Sequence, residues 1–205
     1  MKIYDLSPEI NEDMVVYRNK PQNKPKIKVI RTIKENVANE SIFELYAHTG
    51  SHIDAPYHFL YNGITIEKLS LDKFMGKCIV LDFSKIKDSI KKSNLENIKI
   101  EKNIIVLLKT KNKPVRTFDY KFTYLEKGGA EYLVSKKIKA VGLDSLSIER
   151  NQPDYNTHKI LLKNNIPIFE GLDLGKIKQG KYLFYGFPLK IKADGSPIRA
   201  VLIKP

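Results

Sequence analysis

The chain has 205 residues, of which 42% are hydrophobic and 10% aromatic, and its formal net charge is +13. These values exclude a disordered chain and predict a single domain, residues 1–205, that buries its own core. The lysines are scattered and no basic helix or RNA-binding signature accompanies them, so the charge predicts a solvated surface and no nucleic-acid partner.

Two further features bear on the cellular setting. No apolar run reaches the length of a membrane span, and the first residues lack the basic-then-apolar order of a signal peptide. Cys78 is the only cysteine, so it forms no internal disulfide. We therefore expect a cytoplasmic protein that does not bind membranes. Cys78 opens an apolar run and is expected to be a packed core thiol rather than a nucleophile.

The first half of the chain is predicted to be mainly extended. A polar turn at 35–40 separates the predicted strands 26–33 and 41–48. In the second strand, Phe43 would face the core and the even-numbered side chains would face the functional site. In chain order we expect strands at 1–7, 26–33 and 41–48, a short helix at 69–76, a strand at 78–83, a polar helix at 85–93 and a strand at 104–108.

The second half mixes helices and strands. Thr123-x-x-Glu126 matches a capping box and predicts a helix to about residue 136. Asp144 ends the next predicted strand, where it would either orient a ligand imidazole or be a solvated strand end. Asp194-Gly195 is typical of a tight hairpin turn. The remaining elements are strands at 140–144, 166–172, 182–192 and 198–204, and a short helix from about His158 to residue 164.

Residues 48–59, HTGSHIDAPYHF, hold three of the four histidines. Four side chains that can bind a metal occupy even positions: His48, His52, Asp54 and His58. Gly50 and Pro56 disfavour a helix, and in an extended chain even positions share one face. Crowding three imidazoles around a carboxylate is costly without a bound cation, so the pattern predicts a metal site. The alternative is a strand end with a few solvated polar residues.

This motif resembles the HxGTHxDxPxH signature of the cyclase family of metal-dependent hydrolases, which includes kynurenine formamidase and isatin hydrolase. Other segments are similar to that family, in its order and along nearly the whole chain: residues 5–7, 141–145, His158 with Leu161-Leu162, Glu170-Gly171-Leu172, 188–190 and 194–200. The mixture of elements predicts an α+β fold with a mixed β-sheet and packed helices. The resemblance implies the layered β/β/α arrangement of the cyclase type.

The resemblance also implies a ligand set. His48, His52 and Asp54 would hold one ion, while Asp54, His158 and Glu170 would hold a second, so that Asp54 is the bridging carboxylate. Imidazole and carboxylate ligands without thiolate suit zinc, manganese or ferrous iron. Five candidates exceed the needs of one tetrahedral catalytic zinc, which favours two zinc ions. A single manganese ion with a fuller coordination shell is the alternative.

By resemblance, His58 is the acid/base residue rather than a ligand. A metal lowers the pKa of bound water toward neutrality, which makes hydroxide available to attack a carbonyl. The departing nitrogen needs a proton, and an imidazole with a pKa of about 6.5 can shuttle one at neutral pH. The alternative roles for His58 are a sixth ligand or a hydrogen-bond partner of a ligand.

We therefore expect a metal-dependent hydrolase that cleaves the amide bond of a small molecule, either an aryl formamide or a cyclic amide. The alternative is a catalytically silent metal- or ligand-binding protein on the same fold. Tyr17 and Arg18 lie in a stretch that resembles the family's substrate loop, so they are expected to contact the substrate. Formamidases typically carry Pro-Gly where this chain has Arg18-Asn19, so the substrate is not carried over from them. The resemblance implies a homo-oligomer, a dimer or a tetramer.

Overall fold

The computed structural model describes residues 1–111, 117–150 and 152–204. Its strands are β1 Lys2–Asp5, β2 Lys26–Arg31, β3 Glu40–Glu44, β4 His52–Asp54, β5 Met75–Asp82, β6 Ser89–Ile90, β7 Ile105–Lys109, β8 Tyr124–Leu125, β9 Ala140–Leu143, β10 Ile168–Glu170, β11 Gly180–Tyr185, β12 Gly195–Pro197 and β13 Val201–Lys204. The α-helices of the described part are α1 Lys92–Leu95, α2 Lys127–Ser135 and α3 Asn156–Lys163. Short 3₁₀ turns lie at Tyr17–Asn19, Pro21–Asn23, Pro56–His58, Ile66–Lys68, Leu71–Phe74 and Pro153–Tyr155.

A nine-stranded mixed sheet forms the centre of the fold, in the order β1-β13-β11-β5-β7-β9-β10-β4-β12. The four central strands β5, β7, β9 and β10 run parallel, and the outer strands pair antiparallel on both sides of them. Central parallel strands are covered on both faces and are therefore continuously apolar, as β7 is over its first four residues. The α+β prediction, with a mixed sheet and packed helices, is confirmed.

Alternate residues of β7 supply two separate cores. Val106 and Leu108 belong to the cluster that also contains Leu133 of α2 and Leu161 of α3, so the helices cover this face. Ile105 and Leu107 belong to the cluster on the opposite face, which contains aromatic residues of other strands, including Phe169 of β10 and Phe184 of β11. We call the first the helix face and the second the inner face.

The sheet itself curls around the inner face. Only residues 198–200 connect β12, at one edge of the sheet, with β13, which is next to the other edge. Such a connection spans at most about 14 Å, so the two edges lie close together. Two backbone hydrogen bonds of the connecting residues hold the edges there. The N–H of Leu6, just after β1, donates to the carbonyl of Ala200 at 2.9 Å, and the N–H of Ile198 donates to the carbonyl of Ser51 at 2.9 Å.

The hairpin of β2 and β3 differs most from the prediction. Every residue of both strands is exposed, and Phe43, which was expected in the core, is 62% exposed. Residues 45–48 leave the strand and form a turn, so no even-numbered face leads from β3 to the site. Alternation predicts which side chains share a face of a strand, but tertiary structure decides whether that face is covered.

Two helix predictions also need correction. The polar segment 85–93 is not helical: it contains the short strand β6, and α1 begins only at Lys92. The capping box is wrong because α2 starts after Glu126, and the hydroxyl of Thr123 donates instead to the carbonyl of Ile86 at 3.1 Å. In both places pairing of β6 with β8 overrides local helix propensity.

Two predictions about the wider chain can be compared with the structure. Among the described residues, no helix combines the length and the apolar character that crossing a membrane requires. Cys78 is buried in β5, and burial raises the pKa of its thiol, which keeps it protonated and unreactive. The thiol is therefore part of the inner core, as expected.

Candidate metal centre

Strand pairing brings a distant glutamate to the histidine motif. His52 and Asp54 are two residues apart on β4, so they point to the same face of the sheet. In the antiparallel pair of β4 with β10, Glu170 lies opposite His52 and Ile168 lies opposite Asp54. Because Ile168 belongs to the core under the helices, these three polar side chains also point to the helix face.

Helix α3 places His158 above that face. Its Nε2 lies 3.7 Å from Oδ2 of Asp54 and 3.4 Å from Oε1 of Glu170. From the other side, Nε2 of His52 lies 3.6 Å from Oδ1 of Asp54 and 3.4 Å from Oε2 of Glu170. All four side chains are buried. Two imidazoles therefore face the same two carboxylates, away from solvent.

Two glycines fix the orientation of His52. The carbonyl of Gly50 accepts a hydrogen bond from Nδ1 of His52 at 2.9 Å, which directs Nε2 towards the carboxylates. Gly50 has a positive φ of 62°, and so has Gly171, at 67°. A Cβ on Gly171 would lie 2.4 Å from the carbonyl oxygen of Gly50. The two backbone segments can therefore approach this closely only because Gly171 lacks a side chain.

His48 and His58 lie outside regular strands, in contrast to the predicted extended motif. His48 is in a turn and His58 ends the 3₁₀ turn Pro56–His58, while only residues 52–54 of the motif are in a strand. Nδ1 of His48 lies 2.9 Å from Oδ1 of Asp54. The rings of His48 and His58 are 4.1 Å apart at their centroids. The motif converges through tertiary structure and not through the alternation of one strand.

A carboxylate that the sequence analysis did not assign to the site, Asp194, joins these two histidines. Its Oδ2 accepts hydrogen bonds from Nε2 of His48 at 2.8 Å and from Nδ1 of His58 at 2.9 Å. The tight turn predicted at Asp194-Gly195 is wrong, because Gly195 begins β12 and pairs with Asp54 of β4. The strands predicted on either side of it do pair antiparallel, as β11 and β13. The sequence feature that could have indicated a role for Asp194 is that residues 194–200 resemble the corresponding segment of the cyclase family.

The carboxylates around His48 change its protonation. Burial opposes a charged imidazole, but the hydrogen bonds to Asp194 and Asp54 outweigh burial and raise the pKa of His48 to about 10. In return, hydrogen bonds from His48 and His58 hold the pKa of Asp194 far below its usual range. The pKa of Asp54 is also lowered: burial raises it, but the neighbouring imidazoles, His58 first, outweigh burial.

A second unpredicted carboxylate, Glu149, supports His158 from behind. Its Oε2 accepts the backbone N–H of His158 at 3.0 Å and lies 3.5 Å from Nδ1 of the ring. Burial opposes protonation of His158, but Glu149 and Glu170 outweigh it and raise the pKa to about 9. The pKa of Glu170 is lowered, because bonds from His158 and His52 outweigh burial and the charge of Asp54. Nothing in the sequence around Glu149 distinguishes it from a surface glutamate.

The donor atoms present fit a divalent cation. Three buried atoms of this site have no hydrogen-bond partner among the described residues: Oδ2 of Asp54, Nδ1 of His158 and Oε1 of Glu149. Two groups of side chains offer ligand atoms that lie within 4.8 Å of one another: His48, Asp54 and His58 in one, and His52, Asp54 and Glu170 in the other. Imidazole nitrogens and carboxylate oxygens suit zinc, manganese or ferrous iron. Asp54 belongs to both groups.

The predicted substrate residues lie beside this centre. The ring of Tyr17 packs edge-on against Phe118 at 4.9 Å between centroids. The pKa of Tyr17 is raised, mainly by burial, and the charge of Glu170 contributes. The guanidinium carbon of Arg18 lies 5.3 Å from the centroid of the Tyr17 ring. The charge of Glu170 therefore acts on Tyr17, whereas Arg18 is exposed to solvent.

Asp144 lies at the end of β9, as predicted, and is not a solvated strand end. Its carboxylate accepts hydrogen bonds from the backbone N–H of Thr110 at 2.9 Å and from the Thr110 hydroxyl at 2.5 Å. It also lines a cavity of about 630 Å³, whose described lining includes none of the predicted metal ligands. These hydrogen bonds connect the end of β9 with the end of β7.

The comparisons with known proteins agree with the fold and with the resemblance of the motif. A family model described as "Putative cyclase" matches residues 4–150. Kynurenine formamidase of Bacillus mycoides (strain KBAB4) is 31% identical over 203 residues, covering 97% of this chain and 95% of that protein. The solved structure of a potential metal-dependent hydrolase with cyclase activity is 37% identical with a TM-score of 0.91, covering 100% of this chain and 99% of the other. Isatin hydrolase A from Labrenzia aggregata, at 21% identity, shares the fold with a TM-score of 0.85, over 100% of this chain and 94% of the other. The chain belongs to the Putative cyclase family.

Proposed function

We propose that this protein is a metal-dependent hydrolase that cleaves the C–N bond of a small amide, either an aryl formamide or a cyclic amide. The observation that carries the proposal is the pairing of two buried imidazoles, His52 and His158, with the same two buried carboxylates. Family membership supports it, since a kynurenine formamidase covers nearly the whole chain.

We propose His48, His52, Asp54, His158 and Glu170 as the metal ligands, holding two zinc ions or, alternatively, one manganese ion. The two oxygens of Asp54 support a bridging role: Oδ1 faces His48 and His52, while Oδ2 faces His158. When bound, a divalent cation supplies Lewis acidity towards water and towards the amide carbonyl.

We propose His58 as the residue that moves protons. Its side chain is 25% exposed, so a substrate can reach it, and Nδ1 donates to Asp194, which leaves Nε2 for the reaction. Nε2 takes a proton from the attacking water and returns it to the departing nitrogen as the C–N bond breaks. Asp194 holds the ring in one tautomer and stabilises the imidazolium between these two steps. An aryl formamide would thus yield formate and an aromatic amine.

The experiment that tests this function combines metal analysis with turnover. The metal content of the purified protein is measured, and hydrolysis of a panel of aryl formamides and cyclic amides is followed before chelation, after chelation and after zinc or manganese is added back. We expect turnover that chelation abolishes and the metal restores. A protein that binds metal but hydrolyses no member of the panel would favour the silent binding protein instead. A protein that binds no metal contradicts both.

We further propose that the protein acts as a homo-oligomer, a dimer or a tetramer, in the cytoplasm. The exposed hairpin supports oligomerisation, because Ile27, Val29 and Phe43 on one of its faces are each more than two-fifths exposed. A single buried cysteine, which needs no oxidising compartment, supports the cytoplasm.

A further inference from the structure

Glu149 is a buried carboxylate that the proposed reaction does not use. It lies in the loop after β9, and only 3% of its surface is exposed. Its Oε2 accepts the backbone N–H of His158 at 3.0 Å, while Oε1 has no hydrogen-bond partner among the described residues. A buried carboxylate with an unpartnered oxygen is costly. Such a side chain therefore indicates that a proton donor or a positive charge belongs close to it.

The ring of His158 lies between Glu149 and the proposed metal centre. Nδ1 of His158 faces Oε2 of Glu149 at 3.5 Å. Nε2 faces the other way, towards Asp54 at 3.7 Å and Glu170 at 3.4 Å. Glu149 is therefore behind the ring, where it can hold His158 but cannot itself bind a cation at Nε2.

One tautomer of His158 satisfies both residues. Nδ1 of His158 is buried and, like Oε1 of Glu149, lacks a hydrogen-bond partner in the described part of the chain. An imidazole that binds a cation through Nε2 carries its proton on Nδ1, and a carboxylate is a strong acceptor for that proton. A carboxylate in this place also makes Nε2 a better electron donor to a cation. The tautomer that suits Glu149 is thus the one that suits a metal at Nε2.

The loop that carries Glu149 also orients Glu170. The backbone N–H of Ile148, the preceding residue, donates to Oε1 of Glu170. The carbonyl of Ile148 accepts the N–H of Leu125 in β8 at 2.8 Å, and the carbonyl of Leu125 accepts the hydroxyl of Thr157 in α3 at 3.0 Å. Strand β8 thus connects the loop with the first turn of α3. Two adjacent loop residues therefore hold both of the ligands that are proposed for the second ion alone.

The ligands proposed for the first ion are held by other parts of the fold. Nδ1 of His52 donates to the carbonyl of Gly50, and Nε2 of His48 donates to Asp194, which precedes β12. Neither hydrogen bond involves the loop of Glu149. A change at Glu149 should therefore affect one ion position and leave the other intact.

We infer that Glu149 is a positioning residue, which holds His158 by its Nδ1–H and so stabilises the ion bound by His158 and Glu170. This inference rests on the proposed function, because it concerns the ligands of that same site. Glu149 itself contacts neither the substrate nor the cation. A carboxylate behind a metal-binding imidazole typically contributes about 10- to 100-fold to metal affinity.

The test measures zinc affinity, by competition with a chelator, rather than turnover. Glu149→Gln keeps an oxygen for the backbone N–H of His158 but removes the charge. We expect one zinc ion to bind about 10- to 100-fold more weakly and the other to stay within about twofold. If the chain binds a single ion, that ion should weaken. Asp194→Asn should weaken the other ion, because Asp194 holds His48. Glu131→Gln, at an exposed position in α2, is the control and should change neither.

A second measurement follows His158 directly. In the cobalt-loaded protein, the N–H protons of bound imidazoles give separate NMR signals, and that of His158 is the one absent from His158→Gln. It should exchange slowly with solvent in the wild type and shift in Glu149→Gln, while the signal of His52 stays in place. If Glu149→Gln does not fold, the wild-type spectrum decides: a slowly exchanging His158 N–H supports the inference, and its absence overturns it.

Three results would overturn the inference while leaving the proposed function in place. They are unchanged zinc affinity in Glu149→Gln, an equal loss of both ions in that variant, and a wild-type His158 without a proton on Nδ1. A protein that binds zinc with the expected dependence on Glu149 but hydrolyses no amide would contradict the proposed function alone. A protein that binds no zinc would contradict both.

Discussion

At the residue scale, the site depends on how one aspartate divides its contacts. Asp54 is fully buried, and its two oxygens face different histidines. A buried carboxylate without compensating charge is costly, and Oδ2 has no hydrogen bond among the described residues. His58, by contrast, is partly exposed and donates a hydrogen bond from Nδ1 to Asp194. The two residues should therefore respond differently to truncation.

Asp54→Ala and His58→Ala should separate metal binding from proton transfer. Asp54→Ala removes the proposed bridge, so metal content and turnover should fall together. His58→Ala should keep the metal and lose about 10²–10⁴-fold in kcat, because only acid–base help is lost. Amides with good leaving groups need less protonation and should lose less. Metal analysis and kcat across a leaving-group series measure both effects.

His52→Ala serves as the reference for a lost ligand in that comparison. Its ring lies within 3.6 Å of both carboxylates, so its removal should lower metal content and slow every substrate to the same extent. If His58→Ala loses metal as readily as His52→Ala does, then His58 is a ligand. That result would fit the group in which His48, Asp54 and His58 lie together.

The metal-free protein should become less stable as the pH rises through the range of its buried histidines. The folded-state pKa is about 10 for His48 and about 9 for His158, compared with about 6.5 in the unfolded chain. The folded state therefore binds these protons more tightly, so their stabilising effect is complete below about pH 6.5 and is lost as the pH rises through about 9 to 10. Urea unfolding of the metal-free protein across this range measures the loss.

The metal-loaded protein is the comparison for this pH series. Imidazole binds a metal in its neutral form, so a bound cation replaces the protons and should remove the decline. Metal-free His48→Gln should show a shallower decline than the metal-free wild type, because one of the two groups is gone. Parallel pH profiles of the metal-free and metal-loaded proteins would show that these histidines do not bind the cation.

At the scale of elements, β12 makes room for His48. Gly195 lies opposite Asp54 in the pairing of β12 with β4. A Cβ at this position would lie 2.9 Å from Cε1 of His48 and 2.7 Å from the carbonyl oxygen of Ile53. The backbone oxygen cannot move without breaking the sheet, so the imidazole would have to give way.

Gly195→Ala should therefore disturb the site through the strand rather than through its chemistry. We expect a loss of about 1–3 kcal/mol in unfolding free energy, the usual cost of overpacking, together with weaker metal binding as His48 moves. Gly128→Ala, in α2, is the matched control, because the nearest atom to its new Cβ would be Cβ of Lys92 in α1, at 4.0 Å. Denaturation curves and metal titrations of both variants measure the two effects, and equal behaviour would contradict this role for Gly195.

The secondary-structure elements also show which parts of the site can be predicted from the sequence. The extended backbone at His52, the short helix at His158 and the strand at Glu170 were predicted, because each is a local pattern of alternation or punctuation. Asp194 and Glu149 were not assigned to the site, since their roles arise only when β12 pairs with β4 and α3 packs beside the loop after β9. An Asp-Gly pair indicates a turn locally, and only strand pairing shows that the glycine starts a strand.

At the scale of the whole molecule, the curled sheet and the β2–β3 hairpin differ in how much of their surface is exposed to solvent. The curl buries the inner face and brings the two edges of the sheet together, so the main sheet presents little open edge. The hairpin stands apart, with every residue of β2 and β3 exposed. An isolated two-stranded hairpin is only marginally stable in water, so we expect another surface to cover it.

A second copy of the chain is the partner that the proposed homo-oligomer implies, and the hairpin predicts which face it covers. Ile27 pairs with Phe43, and Val29 lies on the same face, whereas Lys28 lies on the opposite one. Light scattering should give at least twice the 23.6 kDa of one chain for the wild type. Phe43→Glu should yield monomers, because a charge would replace a large apolar contact, while Lys28→Glu should leave the mass unchanged. A monomeric wild type would remove the oligomer altogether, and an oligomeric Phe43→Glu would assign the interface to another surface.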